Sequence, residues 1–388
     1  MKKIYYLYIA LALAIFIRLF FLFFPGHVMD INTFVHWGEI IYQKGFFSLY
    51  GVNFFQNVDY PPLVPYIVSQ WIKIMPFADH AFLFKFFVLV IDLAIVWMIF
   101  RKSLANNVSL VLASVAIISL PLAIDGSLWG QVDNLAFLLL IISFGFLIEK
   151  KNYLSLLFLI VAILAKPHAM IAVPVYFLFF IKQGFKKIYL PTLCSLGFVA
   201  LLILLFNYFS GGNLLDSFTK VVGRYTMLSL NAFNVWWIIY GAESWNIADT
   251  QKFGFLTYRQ VSEIIFIILF IPIAIRIVKE KVISDKIFLY SALTYLMFFM
   301  FLTEMHERYL YLAVAFLTIF VLVDKKYKNI YYLLSATFIV NLILVLQNAF
   351  PQFGLDLSWE TFSITGVIVG AINLILTGII YAKVVREN

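Results

Sequence analysis

Continuous apolar runs of roughly 14 to 22 residues, separated by short polar stretches, repeat from one end of the chain to the other. They span 4–24, 62–76, 82–100, 105–123, 134–149, 153–166, 168–182, 188–208, 257–278, 286–303, 309–323, 330–349 and 362–382, thirteen in all. A helix rises about 1.5 Å per residue, so about 20 apolar residues cross a bilayer. Membrane barrel strands instead alternate in polarity over about ten residues, and these runs do not alternate. The pattern predicts an all-α polytopic membrane protein.

Composition agrees. The 388 residues are 64% hydrophobic and only 12% charged, against about 25% charged in soluble domains. The 43 Phe and 22 Tyr suit lipid-facing and interfacial surfaces. The net charge of +8 is no nucleic-acid footprint, because the cations lie in short loops between apolar runs. The one cysteine, Cys194, sits inside an apolar run and allows neither an internal disulfide nor a cysteine metal site. Lys2 and Lys3 precede an apolar stretch without a small-x-small cleavage site, which predicts an uncleaved first helix. Without Gly/Ser linkers, heptads or repeats, the chain reads as a single membrane domain over 1–388.

Thirteen crossings would leave the two ends on opposite sides. The clusters at 2–3, 101–102, 150–151, 182–187, 276–286, 325–328 and 383–386 hold 18 of the 28 Lys and Arg. All face the cytoplasm if every run but 62–76 crosses, as the positive-inside rule requires. That run, PLVPYIVSQWIKIMP, starts and ends at proline and carries Lys73 beside Trp71, features of an interfacial helix. A short true crossing is its competing reading. The preferred topology has about twelve transmembrane helices and both termini cytoplasmic. Its two sizeable extracytoplasmic loops are 25–81, with interfacial helices, and 209–256.

The unusual polar residues are Asp30, Asp59, Asp125, Asp133, Lys166, His168, Arg224, Glu304, His306, Glu307 and Arg308. On this topology all fall at outer helix ends or in outer loops. A transporter would place ionisable groups near the midplane; clustering at one surface fits an enzyme of the membrane–water boundary. A carboxylate can deprotonate an acceptor hydroxyl, and cations can hold a phosphate leaving group. Together these describe sugar transfer from a lipid phosphate to an alcohol. Each residue also has a plainer reading. Asp30 could cap a helix starting at Ile31, GQVD at 130–133 could close in an N-cap, and Lys166-Pro167 could be a charged turn. HER at 306–308 is no zinc-protease motif, since HExxH needs a second His at 310, which is Leu. Arg18 and Asp92 lie further inward and are expected to pair structurally.

Seven stretches taken in order resemble the GT-C glycosyltransferases: DINTFVHW, DYPPLVPY, VLVIDLAIVW, SLWGQVDNLAFLL, AKPHAMIAVPV, LNAFNVWW and EMHERYLYLAV. They look most similar to proteins like GPI mannosyltransferase II, and more distantly to the dolichyl-phosphate-glucose-dependent N-glycan glucosyltransferases. The resemblance covers about residues 11–320. It implies a GT-C fold, a polyprenyl- or dolichyl-phosphate sugar donor, a lipid- or glycan-linked acceptor, and inversion at the anomeric carbon. By position, Asp30 matches the catalytic base. Lys166, His306 and Arg308 fall where the donor phosphate would be held, and Asp133 near a second acidic motif. The pocket is expected to include Tyr60, Gln131, His168, Arg224, Asn234 and Glu307, with Asn231, Trp236 and Trp237 nearby. GQVD replaces the HFQYN-type stretch of the eukaryotic glucosyltransferases, so the resemblance leaves the hexose open, mannose or glucose being favoured. Related branches differ in metal use, so a divalent metal is compatible with the acids but not required. The resemblance places the enzyme in the cell membrane with an extracytoplasmic site. A lipid-linked-sugar transporter or flippase, and a scaffold or receptor without chemistry, are the readings from other classes.

Overall fold

The structure is a computed structural model and describes residues 2–50, 58, 60–106, 108–219, 223–349 and 358–386. Asp59 of the DYPPL stretch lies outside the described residues. In chain order the α-helices are α1 (Lys2–Leu22), α2 (Val28–Lys44), α3 (Leu63–Ile74), α4 (His80–Ala105), α5 (Leu110–Ile118), α6 (Leu120–Ala123), α7 (Asp133–Ile148), α8 (Asn152–Ala165) and α9 (Val173–Phe180). They continue with α10 (Phe185–Ser210), α11 (Asp216–Thr219), α12 (Val235–Tyr240), α13 (Tyr258–Lys279), α14 (Lys286–Phe301), α15 (Tyr311–Val321), α16 (Lys328–Ala349) and α17 (Trp359–Arg386). Two short ladders complete the fold: β1 (Ser229–Leu230) pairs in parallel with β4 (Met305–His306), and β2 (Lys252–Phe253) pairs antiparallel with β3 (Leu256–Thr257).

Among the described residues seven helical runs are long and apolar enough to cross a membrane: Lys3–Leu22, His80–Ala105, Leu110–Trp129, Phe185–Ser210, Tyr258–Lys279, Lys325–Gln347 and Trp359–Arg386. Asp133–Ile148, Asn152–Ala165 and Lys286–Phe301 are apolar but shorter. The protein is thus an all-α membrane protein. A helix apolar all round is either buried or lipid-facing, and burial separates the two cases. In α14 every residue from Ile287 to Met300 is buried, as is all of α15. In α10 only Pro191 and Phe206 are buried, and in α13 only Tyr258, Ser262, Ile273 and Ile277, so these lie at the periphery.

Breaks in the helices position the polar groups. Ser119 adopts a left-handed conformation (φ 40°) between α5 and α6, and Pro121 follows it. The break frees backbone carbonyls, and Arg18 Nη1 on α1 donates to Ile118 O at 2.9 Å and Ala14 O at 3.3 Å. Arg18 Nε also lies 3.8 Å from Asp92 Oδ2 on α4, with both side chains about 1% exposed. Asp92 further accepts from Ser127 Oγ at 2.5 Å and Asn134 Nδ2 at 2.9 Å. The expected Arg18–Asp92 pair therefore ties α1, α4 and the segment before α7 together.

At the other end of the chain, α17 packs on α12. A Cβ added at Gly366 would sit 2.2 Å from Trp237 Nε1 and 2.6 Å from a Phe233 ring carbon, whereas one at Gly378 would meet nothing within 4 Å. Overpacking a tight contact costs about 1–3 kcal/mol. Gly366→Leu should lower the melting midpoint of the detergent-solubilised protein by several degrees, on the order of 1–3 kcal/mol. Gly378→Leu should leave it unchanged or slightly raised; tryptophan fluorescence during a thermal ramp reads both.

Candidate functional site

The loop after α1 and the segment before α7 form one unit. Helix α2 begins at Val28, and its N-cap is His27, whose Nδ1 accepts from Asp30 N at 3.3 Å. Asp30 is therefore not the cap; it stands in the first turn, where a helix favours negative charge. His27 N donates to Trp129 O at 2.8 Å, and the two rings stack with centroids 4.9 Å apart. Trp129 closes a π-helix, Ile124–Trp129, whose wider turn often marks functional sites. Gly130 ends it in the left-handed region (φ 90°), and a Cβ there would lie 2.8 Å from Ile31 Cγ1. Only glycine satisfies both demands.

This unit surrounds one oxygen of Asp30. Oδ2 accepts from Trp129 Nε1 at 2.9 Å and Gln131 Nε2 at 2.5 Å. His27 Nδ1 lies 3.2 Å from it, and Arg308 Nη1 4.0 Å. Oδ1 has no partner among the described residues. The side chain is 23% exposed. Burial works to raise the carboxyl's pKa, but the Arg308 guanidinium, His27 and the Trp129 N–H outweigh it and hold it well below the usual carboxylate range.

A second group lies at the end of α8. The residue before a proline is pushed to extended backbone, and Lys166 (φ −152°, ψ 122°) ends α8 before Pro167. Its Nζ donates to Asp133 Oδ2 at 2.5 Å, and His168 Nε2 lies 3.2 Å from Asp133 Oδ1; all three side chains are buried. Asp133 opens α7, but Val132 occupies the N-cap position. The Asp133 carboxylate is thus committed to the cation, not to capping. Lys166 Nζ also stands 6.0 Å from the centre of the Tyr60 ring. Close by, Asp125 is fully buried and neither of its oxygens has a hydrogen-bond partner among the described residues. The charges of Asp133, Lys166, Arg308 and Asp92 all act on it.

The third group is the turn between α14 and α15. Pairing of β4 with β1 fixes its backbone, and Glu304 N donates to Met227 O at 3.0 Å. In the 3-10 helix Glu307–Leu310, Arg308 Nη1 donates to Glu307 Oε1 at 2.9 Å, with His306 Nδ1 at 3.5 Å. The His306 ring sits between Tyr225 (5.1 Å) and Tyr309 (5.3 Å), and Tyr309 stacks on His168 at 5.5 Å. Burial first, then Arg308, drive His306 well below its ordinary value, so it is neutral at physiological pH. Against the effect of burial, Asp30 and Glu307 hold Arg308 well above its own.

Stretches more than a hundred residues apart thus meet: Asp30, Gln131, Asp133, Lys166, His168, His306, Glu307 and Arg308, with Tyr60 alongside. Tyr309 and His168 also line a cavity of about 260 Å³, with Arg224, Arg259 and Glu304 on its wall. Asn234 stands apart from it. That side chain is fully buried and caps α12, its Oδ1 accepting from Trp236 N at 3.1 Å and Trp237 N at 3.2 Å. Asn231 is likewise occupied, accepting from Trp245 Nε1 at 2.8 Å.

Sequence reasoning passed over His27 and Trp129 as partners of Asp30, although both flank motifs it singled out. It also passed over the Asp249–Arg259–Glu304 cluster. Arg259 donates to Asp249 from Nε at 2.8 Å and pairs with Glu304, Thr303 Oγ1 donates to Asp249 at 2.9 Å, and Gly223 N donates to Glu304 at 3.0 Å. Nothing in the local sequence of 249–259 marks that cluster. Among the described residues no group of three or more His, Cys, Asp or Glu could hold a metal ion. Compared with models of protein families and with curated proteins, the chain matches none.

Burial, with Asp249 adding to it, pushes Glu304 up to about 7 despite Arg259. Between its ordinary range and about 7 the folded chain therefore holds a proton that the unfolded chain has released. The Glu304 contribution to stability is greatest below that window and falls as pH rises through it. Melting midpoints should show the wild type losing stability relative to Glu304→Gln between pH 5 and pH 8; parallel pH profiles would refute this.

Proposed function

We propose that the protein is an inverting glycosyltransferase that moves a hexose from a polyprenyl- or dolichyl-phosphate sugar to a hydroxyl of a lipid- or glycan-linked acceptor, with Asp30 as general base. The observation that carries this reading is the Asp30 carboxylate. It is ionised, accepts from Trp129 and Gln131 through Oδ2, has no hydrogen-bond partner on Oδ1 among the described residues, and stands 4.0 Å from a partly buried arginine. The sequence motifs resembling the GT-C glycosyltransferases fall on these same residues.

The chemistry balances as a single displacement. Oδ1 of Asp30 takes the acceptor's hydroxyl proton as the acceptor oxygen forms its bond to the anomeric carbon. The bond from that carbon to the phosphate oxygen breaks, and its electron pair leaves with the lipid phosphate. Arg308 and Lys166, beside neutral His306, neutralise the charge that develops there. These cations are paired with carboxylates, Arg308 with Glu307 and Lys166 with Asp133. A donor phosphate that draws Arg308 away from Asp30 also raises the basicity of Asp30. One group thereby couples donor binding to activation of the base.

The topology that goes with this reading has about twelve crossings and the site on the extracytoplasmic side of the cell membrane. Helix α3 has 12 residues, about 18 Å, short of the roughly 30 Å hydrocarbon core. Because α15 is no longer, at 11 residues, the interfacial position of α3 beside α2 rests on the distribution of cations instead. Loops 25–81 and 209–256 would then flank the site within one membrane domain.

With a panel of polyprenyl-phosphate mannose and glucose donors, Asp30→Asn should retain donor binding and lose about 10²–10⁴-fold in kcat. A well-folded Asp30→Asn variant transferring sugar at the wild-type rate would overturn the mechanism. Arg308→Gln and Lys166→Met should instead raise the donor KM about tenfold or more, a charge-assisted hydrogen bond being worth about 1.5–3 kcal/mol. In reconstituted vesicles, labelled donor crossing the bilayer without a new glycosidic bond would identify a flippase instead.

A further inference from the structure

At the end of the molecule opposite these groups along α4 and α7, a groove of about 550 Å³ opens between α4, α7, α14 and α15. Its floor is apolar, with Trp97, Ile142 and Phe146 on its walls. It runs from Glu149 inward to Ile141, about 12 Å along the α7 axis. Gly145 lies in the groove, and a Cβ added there would meet no heavy atom within 4 Å. The mouth carries four charged residues, Arg101, Lys102, Glu149 and Asp285.

Their pairing leaves one cation over. Lys102 Nζ bonds Asp285 Oδ1 at 2.8 Å and lies 5.5 Å from the Phe288 ring centre. Glu149 is paired with Lys151 at 2.7 Å. Both carboxylates at the mouth are thus neutralised. Arg101 is exposed and has no hydrogen bond or ion pair among the described residues. An uncompensated guanidinium above an apolar groove matches a molecule with a phosphate at one end and hydrocarbon at the other.

We propose that this groove binds an anionic membrane phospholipid, its headgroup phosphate on Arg101 and one acyl chain lying over Gly145 between α4 and α7. Guanidinium and phosphate form the two-pronged hydrogen-bonded pair that their geometries favour. The acyl chain fills space that the protein's own side chains leave empty. On the topology proposed above, the occupant comes from the cytoplasmic leaflet, where anionic lipids and basic residues meet.

The test is lipid retention, which requires no sugar transfer, so its outcome and that of the transferase reading are separable. The full chain, purified from nanodiscs containing equal phosphatidylglycerol and phosphatidylcholine, is released into detergent and its bound lipids counted by native mass spectrometry. The wild type should retain phosphatidylglycerol in preference to phosphatidylcholine. Arg101→Gln should reduce that preference about fivefold, as expected for one cation at the membrane surface. Gly145→Leu should lower retention of both lipids by filling the groove. Arg101 is exposed, so its variant keeps the test decisive should Gly145→Leu lower the melting midpoint. Absence of any lipid preference in the wild type overturns the proposal. So does Arg101→Gln behaving as wild type, or displacement of phosphatidylglycerol by inorganic phosphate alone.

Discussion

Burying an ionised carboxylate costs several kcal/mol unless cations and N–H donors surround it closely. In a chain this apolar, that constraint governs where Asp30, Asp92 and Asp133 can stand. Asp30 takes two N–H donors and stands 4.0 Å from a guanidinium. Asp133 takes a lysine and a histidine, and Asp92 an arginine, a serine and an asparagine. Each set draws residues from different parts of the chain, so the charges act as ties between helices. Removing one partner would strand a buried charge, which couples the site's electrostatics to the stability of the helix bundle.

Some of the donors that satisfy these acids come from places where a regular helix fails. Pro167 turns Lys166 out of α8, and Gly130 ends a π-helix whose last residue is Trp129. Ser119 breaks the run before α6 where Arg18 supplies the missing donor. A continuous helix would satisfy its own backbone and leave nothing to aim. In hydrocarbon an interrupted helix must be repaired by side chains, and the repairs here lie beside the candidate site. The same economy of pairing isolates Arg101 at the opposite end. There the neighbouring lysines already neutralise the carboxylates at the groove's mouth.

The reading of Asp30 as base depends on asymmetry within one carboxyl group. All its close contacts fall on Oδ2, which fixes the group's orientation and leaves Oδ1 for an incoming hydroxyl. Those contacts also weaken it as a base. A donor phosphate competing for Arg308 is the physical means by which basicity would return when it is needed.

The apolar periodicity by itself determined that the chain is helical and membrane-embedded, because a bilayer demands long uninterrupted apolar runs. Pro167 likewise marked a turn between two of those runs. Asp30, Lys166 and His306 were legible as candidates because ionisable residues are rare in such a chain. Which atoms meet was not legible. That Asp30 leans on Trp129 and Gln131, that Asp133 rather than a donor holds Lys166, and that Asn234 is a helix cap depend on contacts across 33 to 101 residues, or on cap geometry. Asp249 and Arg259, the partners of Glu304, and the empty space beside Gly145 have no local signal at all. Pairing of charges and filling of volume are properties of helices packed together, so only the tertiary structure could decide them.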